Sequence, residues 1–193
     1  MLEVELKSVV DDWELRRAAV ERAGGTLVVV GRLEDRRYDT PDGLLSKRDH
    51  ALRLRTYRTN QGTRAELDWK GPTRKENGYK LREELDAQLV DGDAMAEVLS
   101  RLGYVVTTSI DREIVQYELL GATVRFERYP RLDDLVEVEG DPASIERAIE
   151  AIGLPREGFT ADRLIDFAAR YRARTGRPAA ICDADLTGGG ADD

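Results

Sequence analysis

The sequence predicts an α+β chain dominated by antiparallel hairpins, with a sheet whose charged face is either solvated or curled inward to line a barrel. Three observations carry that expectation. Charged and apolar residues alternate along six strand-like runs, turn residues separate the runs, and four stretches with helical spacing interrupt them.

The first block reads strand, helix, strand. Residues 2 to 10 and 26 to 38 have strand character, and Asp11, Glu14, Leu15, Ala18 and Ala19 outline a helix between them that Gly24 and Gly25 end. Met95, Val98, Leu99 and Leu102 fall at i, i+3, i+4 and i+7 and stop at Gly103. The same spacing recurs at Ile145, Ala148, Ile149 and Ile152, with Asp141 as cap, Pro142 as first helical residue and Gly153 as terminator. Leu164, Phe167, Ala168 and Tyr171 mark a last helix, with Thr160 as the expected cap. The strand-like runs between are broken by Asn60-Gln61-Gly62, Gly71-Pro72 and Asn77-Gly78. An internal echo places Leu2, Glu5, Gly24 and Tyr38 in register with Leu81, Glu84, Gly103 and Tyr117. Residues 1–176 are expected to form one domain, and residues 177–193, rich in Pro, Ala, Asp and Gly, a disordered tail.

Composition narrows the chemistry. With 30 basic and 38 acidic residues the net charge is −8, so the overall field repels phosphate backbones and any anion site must be built locally. A nucleic-acid partner is therefore not expected. One cysteine, Cys182, and one histidine, His50, exclude an internal disulfide and a Cys/His zinc cluster, which leaves oxygen-ligand metals. Charged residues begin at Glu3, with Glu5 and Lys7 close behind, and no run approaches the ~18 apolar residues of a membrane span, so the chain reads as cytoplasmic, with no membrane partner. His50 is expected on a polar surface loop, and Cys182 in the tail.

Alternation puts residues i and i+2 on one strand face. Glu3, Glu5 and Lys7 oppose Leu2, Val4 and Leu6. Arg53 and Arg55 oppose Leu52 and Leu54, and Glu66, Asp68 and Lys70 oppose Ala65, Leu67 and Trp69. Lys80, Arg82 and Glu84 oppose Tyr79 and Leu81, Arg125 and Glu127 oppose Val124 and Phe126, and Glu137 and Glu139 oppose Val136 and Val138. One reading is the solvated face of ordinary sheets packed on helices. The other is a barrel with charges inside, which makes sense only as a wet, ligand-filled channel, because each desolvated ion loses several kcal/mol of hydration. Cations in such a channel match a polyanion, and carboxylates beside them match a hard divalent cation.

Glu3-Val-Glu5-Leu-Lys7 resembles the ExExK motif of the CYTH superfamily, the triphosphate tunnel metalloenzymes. Further elements follow in order: Tyr38-Asp39-Thr40, Leu52-Arg53-Leu54-Arg55, Trp69-Lys70-Gly71-Pro72, Lys80-Leu-Arg82-Glu-Glu84 and Val136-Glu137-Val138-Glu139. The resemblance covers residues 1 to about 140. It implies an eight-stranded antiparallel tunnel with flanking helices, Mg²⁺ or Mn²⁺ as cofactor, and a triphosphate-bearing small molecule as partner, in a monomer or homodimer. Carried over by position, Glu3, Glu5, Glu137 and Glu139 would be the metal side, with Glu127 standing where the family usually has Asp. Lys7, Arg53, Arg55, Lys70, Arg82 and Arg112 would bind phosphate, joined by Lys80 and Arg125 from the same charged faces. Lys70 is the expected catalytic residue, positioning or deprotonating the nucleophile, and Glu84 is expected to orient Arg82. Two departures stand out: Arg112-Glu113-Ile114 replaces K-x-R, so one cation is absent, and Arg131-Leu-Asp133-Asp134 replaces a glycine-containing stretch. The functions that follow are a metal-dependent triphosphatase, a class IV adenylate cyclase forming cyclic AMP and pyrophosphate, or a non-catalytic polyphosphate- or nucleotide-binding module.

Overall fold

A computed structural model describes residues 2–187, with side chains from Val4 onward. Its strands are β1 (Leu2–Val9), β2 (Thr26–Asp39), β3 (Ala51–Thr59), β4 (Gly62–Lys70), β5 (Arg74–Glu76), β6 (Tyr79–Leu89), β7 (Val105–Leu119), β8 (Ala122–Arg128) and β9 (Leu135–Glu139). Helices α1 (Trp13–Arg22), α2 (Gly92–Arg101), α3 (Pro142–Ile152), α4 (Leu164–Thr175) and the short α5 (Ala184–Thr187) flank them.

The sheet runs β1-β9-β8-β7-β2-β3-β4-β6, all antiparallel, and β6 pairs back onto β1 through Glu3↔Arg82 and Glu5↔Lys80. That last pairing closes an eight-stranded barrel and leaves it no open edge. The short β5 prolongs the line of β4 and pairs with the start of β6 across the Asn77-Gly78 turn. Gly71-Pro72 is thus a break within one side of a hairpin, not a turn between strands. Proline cannot donate to the ladder, which interrupts the pairing there.

The apolar faces point outward, to the helices. Leu6, Val124, Phe126, Val136 and Val138 pack with Ile145, Ala148, Ile149 and Ile152 of α3 and Val20 of α1. Leu54 and Leu67 meet Leu99 and Met95 of α2. Of that helix only Leu99 is buried, and Val98 and Leu102 of the expected stripe are exposed. Two further apolar groups use inner-face positions: Leu33 with Tyr57 and Ile114, and Ile110, Tyr129 and Leu135 with Phe167 of α4. Ile114, the departure from the family motif, belongs to the first of these.

Helix ends agree with the sequence at α3, where Asp141 accepts from Ala143 and Ser144 and Gly153 sits at φ 75°. Elsewhere they differ. Asp12 caps α1 while Asp11 binds Arg16. At α4 the cap position is Arg163, whose N–H donates to Asp166, and Thr160 instead exchanges backbone bonds with Lys7. Lys7 already needs backbone partners at the barrel rim, and Thr160 supplies them.

The expectation of a tail without structure from residue 177 does not describe residues 178–185. Ala180 and Arg131 exchange backbone bonds of 2.7 and 3.0 Å, Asp111 N–H donates to Ile181 O at 2.8 Å, and Cys182 is buried. The segment satisfies the part of β7 that runs on past its pairing with β8. His50, expected on the surface, is half-buried with its ring edge-on to Trp69.

The internal echo is geometric as well. The α1 and α2 caps, Asp12 and Asp91, lie 79 residues apart with φ/ψ of −143°/108° and −142°/108°. Gly24 and Gly103, with the same offset, have φ of 87° and 86°, a region glycine enters without strain.

Candidate active site

Asp35 of β2 is the hub of the barrel interior. It accepts from Arg55 Nε at 2.8 Å, from Arg112 Nη1 at 3.0 Å and from Arg53 Nη1 at 3.3 Å. Register explains the convergence: Asp35 pairs directly with Arg55 on β3, and Arg112 lies on the neighbouring β7 opposite Leu33. Burial would raise the Asp35 pKa, but the charges of Arg53, Arg55 and Arg112 hold it well below the usual carboxylate range. Arg53 also grips Asp68 through Nε at 2.8 and 3.1 Å, while its Nη2 is buried without a hydrogen-bond partner and lies 3.9 Å from Glu84.

A second centre forms on Glu127, which is fully buried. It takes Arg112 at 2.8 Å, Arg125 at 3.2 Å and the Tyr129 hydroxyl at 2.6 Å. Its pKa also lies far below normal, against the pull of burial, because of Arg112, Lys7 and Arg125. Glu137 is paired with Arg125 and Lys7, and Glu5 with Lys80 and, at 3.7 Å, Lys7. Burial pushes Lys7 down to about 8 despite Glu5 and Glu127.

The structure brings most of the expected residues together on one inner face. Lys7, Arg53, Arg55, Lys80, Arg112 and Arg125 all make ion pairs there. Lys70 lies 3.1 Å from Glu84. Arg82 is different: its guanidinium donates to the backbone oxygens of Gly71 at 2.7 Å and Asp49 at 2.8 Å, so it braces the Gly71-Pro72 break. Glu84 therefore faces Lys70 and Arg53, and not Arg82 as expected.

Glu3 falls outside the residues whose side chains are described. Glu139 is half-buried and pairs in register with Glu5, and Glu137 with Lys7. Among the described residues no three carboxylates converge in an arrangement ready for an ion. The donor set itself fits a hard divalent cation, since Glu5, Glu137 and Glu139 offer only oxygens from two adjacent strands. An ion there would compete with Lys7, Lys80 and Arg125 for these oxygens.

Sequence reading missed Asp35, Asp68 and Arg37 as site residues. Asp68 was visible in its strand's alternation. Asp35 and Arg37 stand within Glu34-Asp35-Arg36-Arg37, four charges in a row, where alternation gives no contrast between faces.

The family model for the CYTH domain matches residues 1–152, and the chain belongs to that family. The family is generally enzymatic, binds triphosphate substrates and is generally dependent on divalent metals. No curated protein matches the chain in sequence. Among solved structures it is similar to the PH1012 protein of Pyrococcus horikoshii OT3, at 22% identity and a TM-score of 0.69 over 86% of this chain and 98% of that one. It also resembles a proposed adenylate cyclase from Vibrio parahaemolyticus, at 17% identity and a TM-score of 0.74 over 88% and 98% of the two chains. A third is HpAC1 from Hippeastrum, a proposed adenylyl cyclase described as having a dominant triphosphatase activity. It is 16% identical, with a TM-score of 0.63 over 89% and 96%. At these identities the likeness shows the shared fold.

Proposed function

We propose that this chain is a divalent-metal-dependent triphosphatase that hydrolyses inorganic triphosphate or a triphosphate-bearing small molecule inside the barrel. The observation that carries the reading is the closed barrel lined by Arg53, Arg55, Arg112, Arg125, Lys7 and Lys80, a concentration of cations in a protein of net charge −8. A triphosphate entering this space exchanges the carboxylate partners of Arg53 and Arg55 for phosphate oxygens, which planar guanidinium forks hold in pairs. Lys70, ion-paired to Glu84, orients the attacking water. Glu5, Glu137 and Glu139, with Glu3, are the residues to hold Mg²⁺ or Mn²⁺, which when bound supplies charge neutralisation on phosphate oxygens. Glu127 is assigned a different task from the one its position in the family pattern suggested: held by two arginines and a tyrosine, it fixes Arg112 and Arg125 in place.

Cyclisation of ATP is the second reading, supported by the fold shared with the Vibrio parahaemolyticus protein. A cyclase must also recognise adenine and align the ribose hydroxyl, and no motif of this chain is assigned to a base. Purified protein with Mg²⁺ or Mn²⁺ should release orthophosphate from inorganic triphosphate faster than it forms cyclic AMP from ATP. Robust cyclic AMP with stoichiometric pyrophosphate, and no orthophosphate from triphosphate, would replace the first reading by the second.

A further inference from the structure

Arg37 has no counterpart in the expected site, and its surroundings single it out. It lies on the inner face of β2, two residues beyond Asp35, and pairs in register with Arg53 on β3 and Thr108 on β7. Its guanidinium makes no hydrogen bond or ion pair among the described residues, in an interior where every neighbouring arginine has at least one carboxylate or carbonyl. The carboxylates on its own strand are taken. Asp35 is shared by three arginines, and Asp39 accepts from the N–H groups of Thr40, Leu45 and Ser46 at 2.8 to 2.9 Å.

The side chain is accessible to solvent although it stands among channel cations. Partial desolvation by the surrounding channel wall, and then the charge of Arg53, with those of Arg82 and Arg112, lower its pKa, and Asp35 only partly opposes them. Arg53, its register partner on β3, has a buried Nη2 with no hydrogen-bond acceptor and with the Glu84 carboxylate at 3.9 Å. Two adjacent guanidinium groups with unmatched N–H donors are mutually repulsive, and a doubly charged oxyanion between them would remove the repulsion and satisfy the donors.

We propose that Arg37 is an additional phosphate-binding residue, which with the unmatched Nη2 of Arg53 forms a seat for one phosphate of the bound triphosphate, at the end of the barrel bordered by the turn of residues 40–48. The inference rests on the triphosphate reading and extends it to a residue outside the family motif. At Arg37 a phosphate meets a charge with no carboxylate partner to displace, whereas at Arg53 and elsewhere in the channel it competes with carboxylates. Arg37 therefore contributes affinity without a competing internal pair.

The test is calorimetric titration of inorganic triphosphate into wild type, Arg37→Gln, Arg37→Lys and Arg53→Lys at one salt concentration, with thermal midpoints of the unliganded proteins. Arg37→Gln should weaken binding on the order of tenfold or more, as for loss of a charged hydrogen bond. Arg37→Lys should fall between it and wild type, and the unliganded midpoint of Arg37→Gln should be unchanged or higher, because a repulsion is relieved. Affinity of Arg37→Gln within about twofold of wild type, with Arg53→Lys weakened, would overturn the role of Arg37 and leave the triphosphate reading standing. A lowered unliganded midpoint for Arg37→Gln would mark a structural residue and overturn the role as well. Absence of triphosphate binding by wild type would overturn both.

Discussion

An arginine presents two parallel N–H donors to an oxyanion and a lysine only one point charge, so exchanging them separates geometry from net charge. Arg53→Lys and Arg55→Lys should each weaken triphosphate binding about tenfold, read by calorimetry, with formal charge unchanged. Arg174→Lys is the control, because Arg174 is largely exposed, pairs with Asp133 and lies over the Tyr171 ring at the surface, away from the barrel interior. Equal losses at all three would point to general electrostatics. Asp39 offers a pH-dependent case. Burial would raise its pKa, but bonds from Ser46 and the backbone of Leu45, Ser46 and Thr40 bring it down to about 2. A depressed folded-state value means a contribution that is full above the unfolded pKa near 3.9 and disappears as pH falls through 2. Asp39→Asn should therefore cost about 1–3 kcal/mol at pH 7, a difference that shrinks between pH 4 and pH 2 in denaturant unfolding.

The helices divide by what their apolar stripes meet. Every residue of the α3 stripe is buried against β1, β8 and β9, whereas α2 buries Leu99 and leaves Val98 about half exposed. Ile149→Ala should cost about 2–5 kcal/mol by leaving a cavity. Val98→Ala should stay within about 0.5 kcal/mol. Urea unfolding with unchanged m-values would check both, and similar losses would mean that α2 packs more tightly than its exposure indicates. The shared cap geometry of α1 and α2 across the 79-residue offset suits two strand-helix-strand units contributing to one barrel, with β2 and β7 as the long pair where they meet.

For the molecule as a whole, the interior is an ion-pair network whose members cannot be removed singly without leaving a charge behind. From sequence, the clustered carboxylates suggest mutual repulsion, which replacing Glu137 and Glu139 together by Gln would ease. The structure reverses that sign, because Glu137 neutralises Lys7 and Arg125. Glu137→Gln should lower metal-free stability by about 3 kcal/mol, the lower end for a buried pair that loses one member. It should also reduce Mg²⁺-dependent turnover steeply if Glu137 holds the ion. Unfolding and activity assays on the same protein separate the two effects, and wild-type turnover would remove Glu137 from the metal side.

The strand faces were legible because alternation and turn chemistry are local, whereas closure into a barrel was implied by the family resemblance and is made by the pairing of β6 with β1. Leu6 against Glu5 and Lys7, or Val138 against Glu137 and Glu139, each specify a face from a few neighbouring residues, and α3 declares its cap, stripe and stop between Asp141 and Gly153. Which carboxylate meets which cation was not legible. Asp35 reaches arginines from β3 and β7, Arg82 turns to the backbone of Gly71 and Asp49, and the segment around Ala180 is ordered by Arg131 and Asp111. Those partners are set by inter-strand register and barrel closure, which bring together residues far apart in the chain. The sequence by itself determined that the charges share one face. Only the tertiary structure decided their pairing, because an ion's partner is chosen by distance in a closed, desolvated space and not by spacing along the chain.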